Sequence, residues 1–327
     1  MIVCKADFLP NSTSRKLGDG NSWATALLVC GNNHRRWNVG TQSRLIVVHN
    51  MVDPGRLYHY EGVLFCENLF PSSSLDAVQK FTVRKDDVYI VTYPKSGTTW
   101  TQEIASLVRG SDDLEETDKL PLDTRIPFLE MVQPEPVYKL LESVESPRYI
   151  KSHLPKRLLP QGMFHMKPKV IYVARNPKDV LISYYEFKLH PWGWEEYFNN
   201  FLKGNVIHGC WFENIAYWWQ HRNDDNILFL FFEDMKNDLK GSVRKISNFL
   251  DKPLDENTLD EITRRSSFDV MKQNKSANVR VPFGEKAQML RKGKVGTWGS
   301  RLTPEESQAI DETFKARLAE IGLEFEY

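Results

Sequence analysis

The sequence predicts an α/β domain with a central, mostly parallel β-sheet that helices cover on both sides. Short apolar runs alternate along the chain with amphipathic helical patterns, and this alternation is typical of parallel sheets. Polar or charged residues follow the predicted strands, at the positions where ligands bind in such sheets. The predicted strands cover residues 88–92, 149–152, 170–174 and 227–232.

The helices between the strands are predicted from apolar spacing and from their end residues. A helix over residues 98–108 is predicted because apolar side chains share one face at Trp100, Ile104, Leu107 and Val108. Asn176 and Pro177 open the helix after the third strand, since proline is favourable in a first helical turn. Further helices are predicted near 195–203, 210–221 and 243–250, and from Thr303 and Pro304 onward. Residues 110–147 show no helical period.

The composition indicates a globular protein without nucleic-acid or membrane partners. The chain has 327 residues, of which 41% are hydrophobic, enough for a buried core. Lys+Arg and Asp+Glu both number 43, and the resulting net charge of zero argues against a dedicated nucleic-acid binder. No apolar run approaches the roughly 20 residues that span a bilayer. The N-terminus also lacks the basic-then-apolar order of a signal peptide.

The cysteines indicate the redox environment of the protein. Four scattered cysteines without a C-x-x-C pair predict neither a zinc site nor a disulfide framework. They suit a reducing compartment, so a cytoplasmic location is predicted.

Residues 1–55 show no sustained period and are predicted to be a poorly ordered N-terminal extension. One domain is expected to occupy residues 56–327.

The segment YPKSGTTW, residues 93–100, is predicted to be a P-loop-like phosphate-binding loop. Gly97 permits a tight turn, and the free N–H groups of a helix N-terminus point toward an anion. Lys95 adds a full positive charge. The Walker pattern is not met because the lysine precedes the glycine. An ordinary strand-to-helix turn is the alternative, but the adjacent aromatic face of Trp100 suits a stacked base.

A histidine at the end of the second strand is the candidate general base. His153 follows Lys151 and Ser152. Histidine, with an unperturbed pKa of about 6.5, is the usual base at neutral pH. A lone histidine is more often structural, and only the position beside a lysine at a strand end favours catalysis. The seven other histidines, at 34, 49, 59, 165, 190, 208 and 221, lack such a position.

Two cationic groups are candidates for a second anion site. Arg175 follows the third strand and can bind a phosphate through two hydrogen bonds. Ser183 lies on the next helix and can share that phosphate, whereas an ion pair between Arg175 and Asp179 is the alternative. The second group lies near the C-terminus at Arg291, Lys292 and Gly293. A solvated basic loop is the alternative for that group.

Together these segments resemble the cytosolic sulfotransferase family. The matching motifs are YPKSGTTW at 93–100, K-S-H at 151–153, R-N-P-K-D-V-x-x-S at 175–183, F-E-D at 232–234 and R-K-G-x-x-G-x-W at 291–298. The resemblance covers residues from about 60 to 327. It implies a transferase that moves a sulfuryl group from PAPS, an adenosine nucleotide with a 5′-phosphosulfate and a 3′-phosphate. Its acceptor would be the hydroxyl or amine of a small molecule, and no metal would be needed.

The resemblance also implies a role for each matched residue. The 5′ side of the nucleotide would be held by Lys95, Ser96, Gly97, Thr98 and Thr99. Trp100 would stack on adenine, with Phe232, Ser266 and Phe268 around the base. The 3′-phosphate would be bound by Arg175, Ser183, Arg291, Lys292 and Gly293. His153 would be the catalytic base, and Lys95 and Lys151 would stabilise the developing negative charge.

The acceptor side and the family's dimer contact are less well matched. Phe128, Tyr184 and Phe187 are expected to line an apolar pocket for a phenol, another aromatic alcohol or a sterol-like acceptor, with Tyr185 and the aromatics around Trp192 and Trp194 as further candidates. Simple core packing is the alternative. The family often has tyrosine at the position of Phe232. The homodimer that the resemblance implies has a degraded motif here, because only Thr303 remains of the dimer motif after the last tryptophan.

Three other functions remain open from the sequence. In a P-loop kinase, Glu233 and Asp234 would bind magnesium after the fourth strand, but the order of lysine and glycine and the His153 base argue against it. A nucleotide-binding protein without catalysis would not need that base. A Golgi sulfotransferase is disfavoured because no membrane anchor is predicted.

Overall fold

The computed structural model describes residues 55–132, 134–278 and 289–325. The strands are β1 Leu57–Tyr60, β2 Val63–Cys66, β3 Val88–Thr92, β4 Tyr149–Ser152, β5 Lys169–Ala174 and β6 Ile227–Phe231. The helices are α1 Ser72–Gln79, α2 Thr98–Arg109, α3 Leu114–Asp118, α4 Leu122–Arg125, α5 Val137–Glu142, α6 Gly162–Met166, α7 Pro177–Tyr185, α8 Trp194–Leu202, α9 Trp211–Gln220, α10 Phe232–Asn237, α11 Leu239–Phe249, α12 Glu256–Arg265, α13 Phe268–Gln273 and α14 Pro304–Glu320. Two 3₁₀ turns lie at Lys156–Leu158 and Thr297–Ser300.

The centre of the fold is a parallel four-stranded sheet in the order β4-β3-β5-β6. Val91 of β3 lies opposite both Ser152 of β4 and Tyr172 of β5. Since all four strands run in one direction, their carboxyl ends meet at one edge of the sheet. The loops that carry the predicted motifs therefore begin side by side.

Helices cover both faces of this sheet, as the continuous burial of β3 requires. On one face, Val88, Ile90 and Ile171 pack against apolar side chains of α2, α11 and α12. On the other face, Val91 and Tyr172 pack against apolar side chains of α7, α9 and α14. The prediction of a single α/β domain with a parallel sheet flanked by helices is confirmed.

Most predicted elements are present with small shifts at their ends. The fourth strand ends one residue early, because Phe232 is the first residue of α10, followed by Glu233 and Asp234 in the first helical turn. Acidic side chains are favourable there. Asn176 caps α7 and Thr303 forms a capping box with Glu306 at α14, so both predicted helix starts are confirmed.

The sequence patterns do not predict α1, α6, α12 or α13, nor the elements in two further regions. Residues 110–147 include α3, α4 and α5, which have four to six residues each and are too short to show a helical period. Near the start, β1 and β2 pair antiparallel across Glu61 and Gly62, which both have positive φ. Such a pair of φ angles is typical of a two-residue hairpin turn. Apart from Gly55, the predicted extension over residues 1–55 lies outside the described residues.

Candidate active site

One cavity lies at the carboxyl edge of the sheet and contains most of the predicted site residues. The predicted residues that line it are Lys95, Gly97, Thr98, Thr99, Trp100, Phe128, Lys151, His153, Arg175, Ser183, Tyr184, Phe187, Phe232, Phe268, Arg291, Lys292 and Gly293. Ser96 and Ser266 are buried but do not line it. Trp192, Trp194 and Tyr185 also lie outside its lining.

The loop between β3 and α2 has the backbone shape of an anion-binding turn. Lys95 and Gly97 have φ values of 68° and 106°, and the glycine is the N-cap of α2. The N-cap forms no side-chain capping hydrogen bond, so the turn lacks the capping side chain common at ordinary helix starts. The Thr98 hydroxyl instead lies 2.6 Å from the Thr92 hydroxyl. The first N–H groups of α2 have no intrahelical acceptor, and they are therefore left for an anion.

His153 is held with one nitrogen bound and the other directed to the cavity. Its Nδ1 lies 2.8 Å from the Thr92 carbonyl oxygen, which can only accept, so Nδ1 carries the proton. Nε2 is then the basic nitrogen, and the ring lines the cavity. Burial, followed by the nearby charge of Lys151, holds the pKa of His153 well below its usual range. The imidazole is therefore neutral at pH 7 and able to accept a proton.

Two lysines flank this histidine at the surface of the cavity. Lys95 Nζ lies 4.1 Å from the centre of the Phe187 ring, and Lys151 Nζ lies 4.0 Å from the centre of the Phe128 ring. Burial and the neighbouring cations Arg175, Lys151 and Arg291 lower the pKa of Lys95 to about 7. Burial lowers the pKa of Lys151 to about 8. Neighbouring anions therefore do not offset the cost of burying either ammonium group. A bound anionic ligand would stabilise both charged forms.

Arg175 joins the first loop to the C-terminal cationic group. It donates to the carbonyl of Lys95 at 3.0 Å and to the carbonyl of Lys294 at 3.1 Å. Its guanidinium also lies 3.8 Å from the carboxylate of Asp179, so the ion pair considered from the sequence is present as well. Asp179 accepts in turn from Thr297 and from the backbone N–H of Gly296 and Trp298. Asp179 thus positions the segment that carries Arg291, a role that sequence reasoning missed.

Aromatic side chains form one wall of the cavity. Trp100 meets Phe232 edge to face with ring centres 5.5 Å apart, and the guanidinium of Arg175 lies 4.3 Å from the centre of the Phe232 ring. Trp100 also donates to the Ser266 carbonyl at 2.7 Å. The Ser266 hydroxyl is bound to the Ile262 carbonyl of its own helix, so it supports Trp100 rather than facing the cavity. Phe268 completes this wall against the backbone of Gly293.

A second, apolar part of the cavity adjoins His153. Phe128 meets the His153 ring edge to face at 5.0 Å, and Phe187 lies beneath Lys95. Tyr184 is buried and donates to the Ile207 carbonyl at 2.9 Å, which fixes its ring at the cavity wall. Met131, Val137 and Leu189 extend the apolar lining. The cavity thus has a cationic half and an apolar half that meet at His153.

Two buried residues beside His153 were missed. Phe128 pairs with Lys151 in a parallel bridge, so the segment around Phe128 lies alongside β4. Glu130 on this segment accepts a hydrogen bond from the His153 backbone N–H at 2.7 Å. Burial raises the pKa of Glu130 to about 7. His208, which was expected to lack a site position, lines the cavity with its ring centre 5.4 Å from that of His153. That expectation is wrong. His208 is distant from His153 in the sequence, and the fold brings the two side chains together.

Within residues 55–132, 134–278 and 289–325, no group of three or more His, Cys, Asp or Glu side chains has an arrangement that holds a metal ion. Among those same residues, no helix combines the length and apolar character that a bilayer crossing requires.

The loop at the N-terminus of α2 and the cationic groups around one cavity are features typical of a site for a phosphorylated ligand. The family model described as a sulfotransferase domain matches residues 85–322. The chain belongs to this sulfotransferase family and is an enzyme of that class.

Individual relatives agree with this assignment. Sulfotransferase 1C2 of Oryctolagus cuniculus is 40% identical over 262 residues, which cover 76% of this chain and 88% of the relative. The amine sulfotransferase of the same species is 39% identical and covers 82% of this chain and 93% of the relative. A crystal structure of retinol dehydratase with androsterone and the inactive cofactor PAP superimposes with a TM-score of 0.71 at 26% identity, covering 77% of this chain and 86% of that chain.

Binding of an anionic nucleotide is expected to take up protons above neutral pH. An anion beside Lys95 or Lys151 favours the charged ammonium and raises the pKa values of these lysines above about 7 and about 8. The affinity for PAP should therefore fall as the pH rises from 7 to 9. Titration calorimetry at pH 8 in two buffers of different ionisation heat measures the uptake. Lys95→Met should take up fewer protons, and zero uptake by the unmodified chain would contradict the shifted lysines.

Proposed function

We propose that this enzyme transfers a sulfuryl group from PAPS to the hydroxyl of a small aromatic or sterol-like acceptor, or to an amine. The observation that carries the proposal is the junction at His153. Its basic Nε2 faces a cavity whose cationic half suits the nucleotide and whose apolar half suits the acceptor. A general base is useful only if a proton must be removed from a bound acceptor.

The donor would lie in the cationic half. Lys95, Ser96, Gly97, Thr98 and Thr99 would bind the 5′ side, with Ser96 contributing through its backbone because its side chain does not line the cavity. The 3′-phosphate would be bound by Arg175, Ser183, Arg291, Lys292 and Gly293. Trp100, Phe232 and Phe268 would surround adenine, and Ser266 would act through its contact with Trp100.

The acceptor oxygen would attack sulfur in line with the leaving nucleotide. A new sulfur–oxygen bond forms to the acceptor while the sulfur–oxygen bond to the nucleotide's bridging oxygen breaks. The acceptor proton passes to Nε2 of His153, and the bond's electron pair remains on the 5′-phosphate of PAP. Lys95 and Lys151 stabilise the negative charge on the sulfuryl and bridging oxygens.

The nature of the acceptor is supported by the pocket and by the relatives. Phe128, Tyr184 and Phe187 present ring surface near His153, which favours a flat or polycyclic apolar molecule. The retinol dehydratase structure contains androsterone, and another relative is named an amine sulfotransferase. We therefore keep phenols, sterol-like alcohols and amines as acceptor classes. A homodimer, the cytoplasmic location and the single domain over residues 56–327 stay predictions from the sequence.

The proposal is tested by incubating the purified chain with PAPS and a panel of phenols, alcohols, sterols and amines. Mass spectrometry should detect a sulfated product with at least one class. A kinase would instead consume ATP with Mg²⁺ and ignore PAPS. A binding protein without catalysis would bind PAP but produce no sulfated product with any acceptor, and either result would overturn the proposal.

A further inference from the structure

A segment near the C-terminus, residues 291–298, carries Arg291, Lys292 and Gly293 of the proposed 3′-phosphate site. We call it the cationic segment. None of its residues is buried. Since apolar burial is the main force that fixes the position of a chain segment, polar contacts must make a large contribution to the placement of this one.

Asp179, in the first turn of α7, supplies three of these polar contacts. Its Oδ2 accepts from the backbone N–H of Gly296 at 2.8 Å. Its Oδ1 accepts from the Thr297 hydroxyl at 2.9 Å and from the backbone N–H of Trp298 at 3.2 Å. These donors lie 117 to 119 residues farther along the chain, so the carboxylate joins two distant parts of the sequence.

The same carboxylate lies beside the other half of the proposed 3′-phosphate site. Oδ2 of Asp179 is 3.8 Å from Nη2 of Arg175. That nitrogen also donates to the Lys294 carbonyl of the cationic segment at 3.1 Å. Asp179 therefore contacts both Arg175 and the cationic segment, and it can fix the cations of the two relative to each other. Such an alignment lets several charged donors converge on one phosphate.

Asp179 is not itself a ligand for the phosphate. Its side chain is fully buried and does not line the cavity. A carboxylate also repels a phosphate, and its charge offsets part of the attraction that Arg175 exerts on an anion. A buried carboxylate at this position therefore has an electrostatic cost for anion binding. Better alignment of the cationic groups would offset that cost.

Helix stability offers a competing explanation. An acidic side chain in a first helical turn is favourable because it lies at the positive end of the helix dipole, and Asp179 has this position in α7. That contribution does not depend on whether a ligand carries a 3′-phosphate. PAP and AMP share the base, the ribose and the 5′-phosphate, and only PAP has the 3′-phosphate. Comparing the two nucleotides therefore separates the explanations.

We propose that Asp179 is a positioning residue that aligns Arg175 with the cationic segment and thereby determines how strongly the enzyme prefers nucleotides with a 3′-phosphate. This inference rests on the proposed function. Asp179 acts through the residues that it holds, and it takes no part in sulfuryl transfer.

The test measures the Kd values of PAP and AMP by titration calorimetry. The unmodified chain should bind PAP at least about 100-fold more tightly than AMP, since a phosphate accepts several hydrogen bonds from charged groups. Asp179→Ala should reduce this preference at least about tenfold. Asp179→Asn keeps the shape but has one acceptor oxygen, so it should reduce the preference at least about threefold. In both variants the AMP affinity should change by less than about twofold.

Asp255→Asn is the matched control. Asp255, at the start of α12, accepts from both the backbone N–H and the hydroxyl of Thr258, and it does not line the cavity. The substitution thus removes the same charge from similar contacts elsewhere. It should leave the preference for PAP over AMP unchanged.

The outcomes distinguish this inference from the proposed function. If the unmodified chain prefers PAP and both Asp179 variants keep that preference, the role of Asp179 is refuted while the proposed function stands. Equal weakening of PAP and AMP would assign Asp179 to the stability of α7 and would also refute the role. A larger preference in Asp179→Asn would show that the carboxylate acts only by reducing the attraction of Arg175, again against the inference. If neither nucleotide binds to the unmodified chain, both proposals fail together.

Discussion

Replacement of His153 by alanine is expected to reduce turnover by a factor of about 10²–10⁴, the usual contribution of general acid–base catalysis. The variant removes the imidazole that lines the cavity and whose Nε2 is the basic nitrogen. The affinity for PAP should change little, because the His153 side chain hydrogen-bonds Thr92 of β3 and not the loop that would hold the nucleotide. Single-turnover assays with PAPS and calorimetry with PAP measure the two quantities separately.

The matched control for this variant is His165→Ala. His165 is an exposed histidine on α6, so its removal should leave both turnover and PAP binding unchanged. Retention of turnover by His153→Ala would defeat the assignment of the base. Loss of PAP binding together with turnover would indicate instead that His153 supports the fold of the site.

Replacement of Gly97 by alanine is expected to weaken PAP binding by roughly ten- to hundredfold. The φ of 106° is unfavourable for any residue with a side chain, and an added Cβ would lie 2.9 Å from Cδ2 of Phe232. The loop must then move, which shifts both the N–H groups at the start of α2 and the aromatic wall beside them. Calorimetric titration with PAP measures the affinity, and thermal unfolding reports any general loss of stability.

Gly193→Ala is a close control for this substitution. Gly193 is likewise the N-cap of a helix, α8, but its φ is −67° and a Cβ there would meet no atom within 4 Å. Alanine at Gly193 should therefore leave PAP binding unchanged. Normal PAP affinity in Gly97→Ala would show that the loop before α2 does not bind the nucleotide.

The strands and the motif residues at their ends could be predicted because their signals are local. The apolar run at 88–92, the glycine of the following loop and the histidine at 153 each stand within a few residues of the strand end that positions them. Parallel strands then bring their carboxyl ends together, so separate motifs imply one site. Most predicted residues accordingly line a single cavity.

The surroundings of His153 could not be predicted, since they come from distant parts of the chain. Glu130 reaches the His153 backbone through a segment without any periodic pattern, and His208 arrives from a loop 55 residues farther along. Nothing in the sequence near His208 separates it from the histidines that lie on the surface. For Ser266 the sequence predicts a site contact that its side chain does not make. Its hydroxyl donates to a carbonyl of the preceding helix, and only the Ser266 carbonyl contacts Trp100.

The central claim is that one cavity joins a PAPS site to an acceptor site at His153. Measuring both reaction products together tests this claim directly. The enzyme is incubated with PAPS and an acceptor from the panel, and PAP and sulfated acceptor are quantified in the same samples. Equal amounts of the two products are expected from the unmodified chain, and at least about 100-fold less of both from His153→Ala in the same time. Formation of PAP without sulfated acceptor, or equal product formation by both proteins, would contradict the claim.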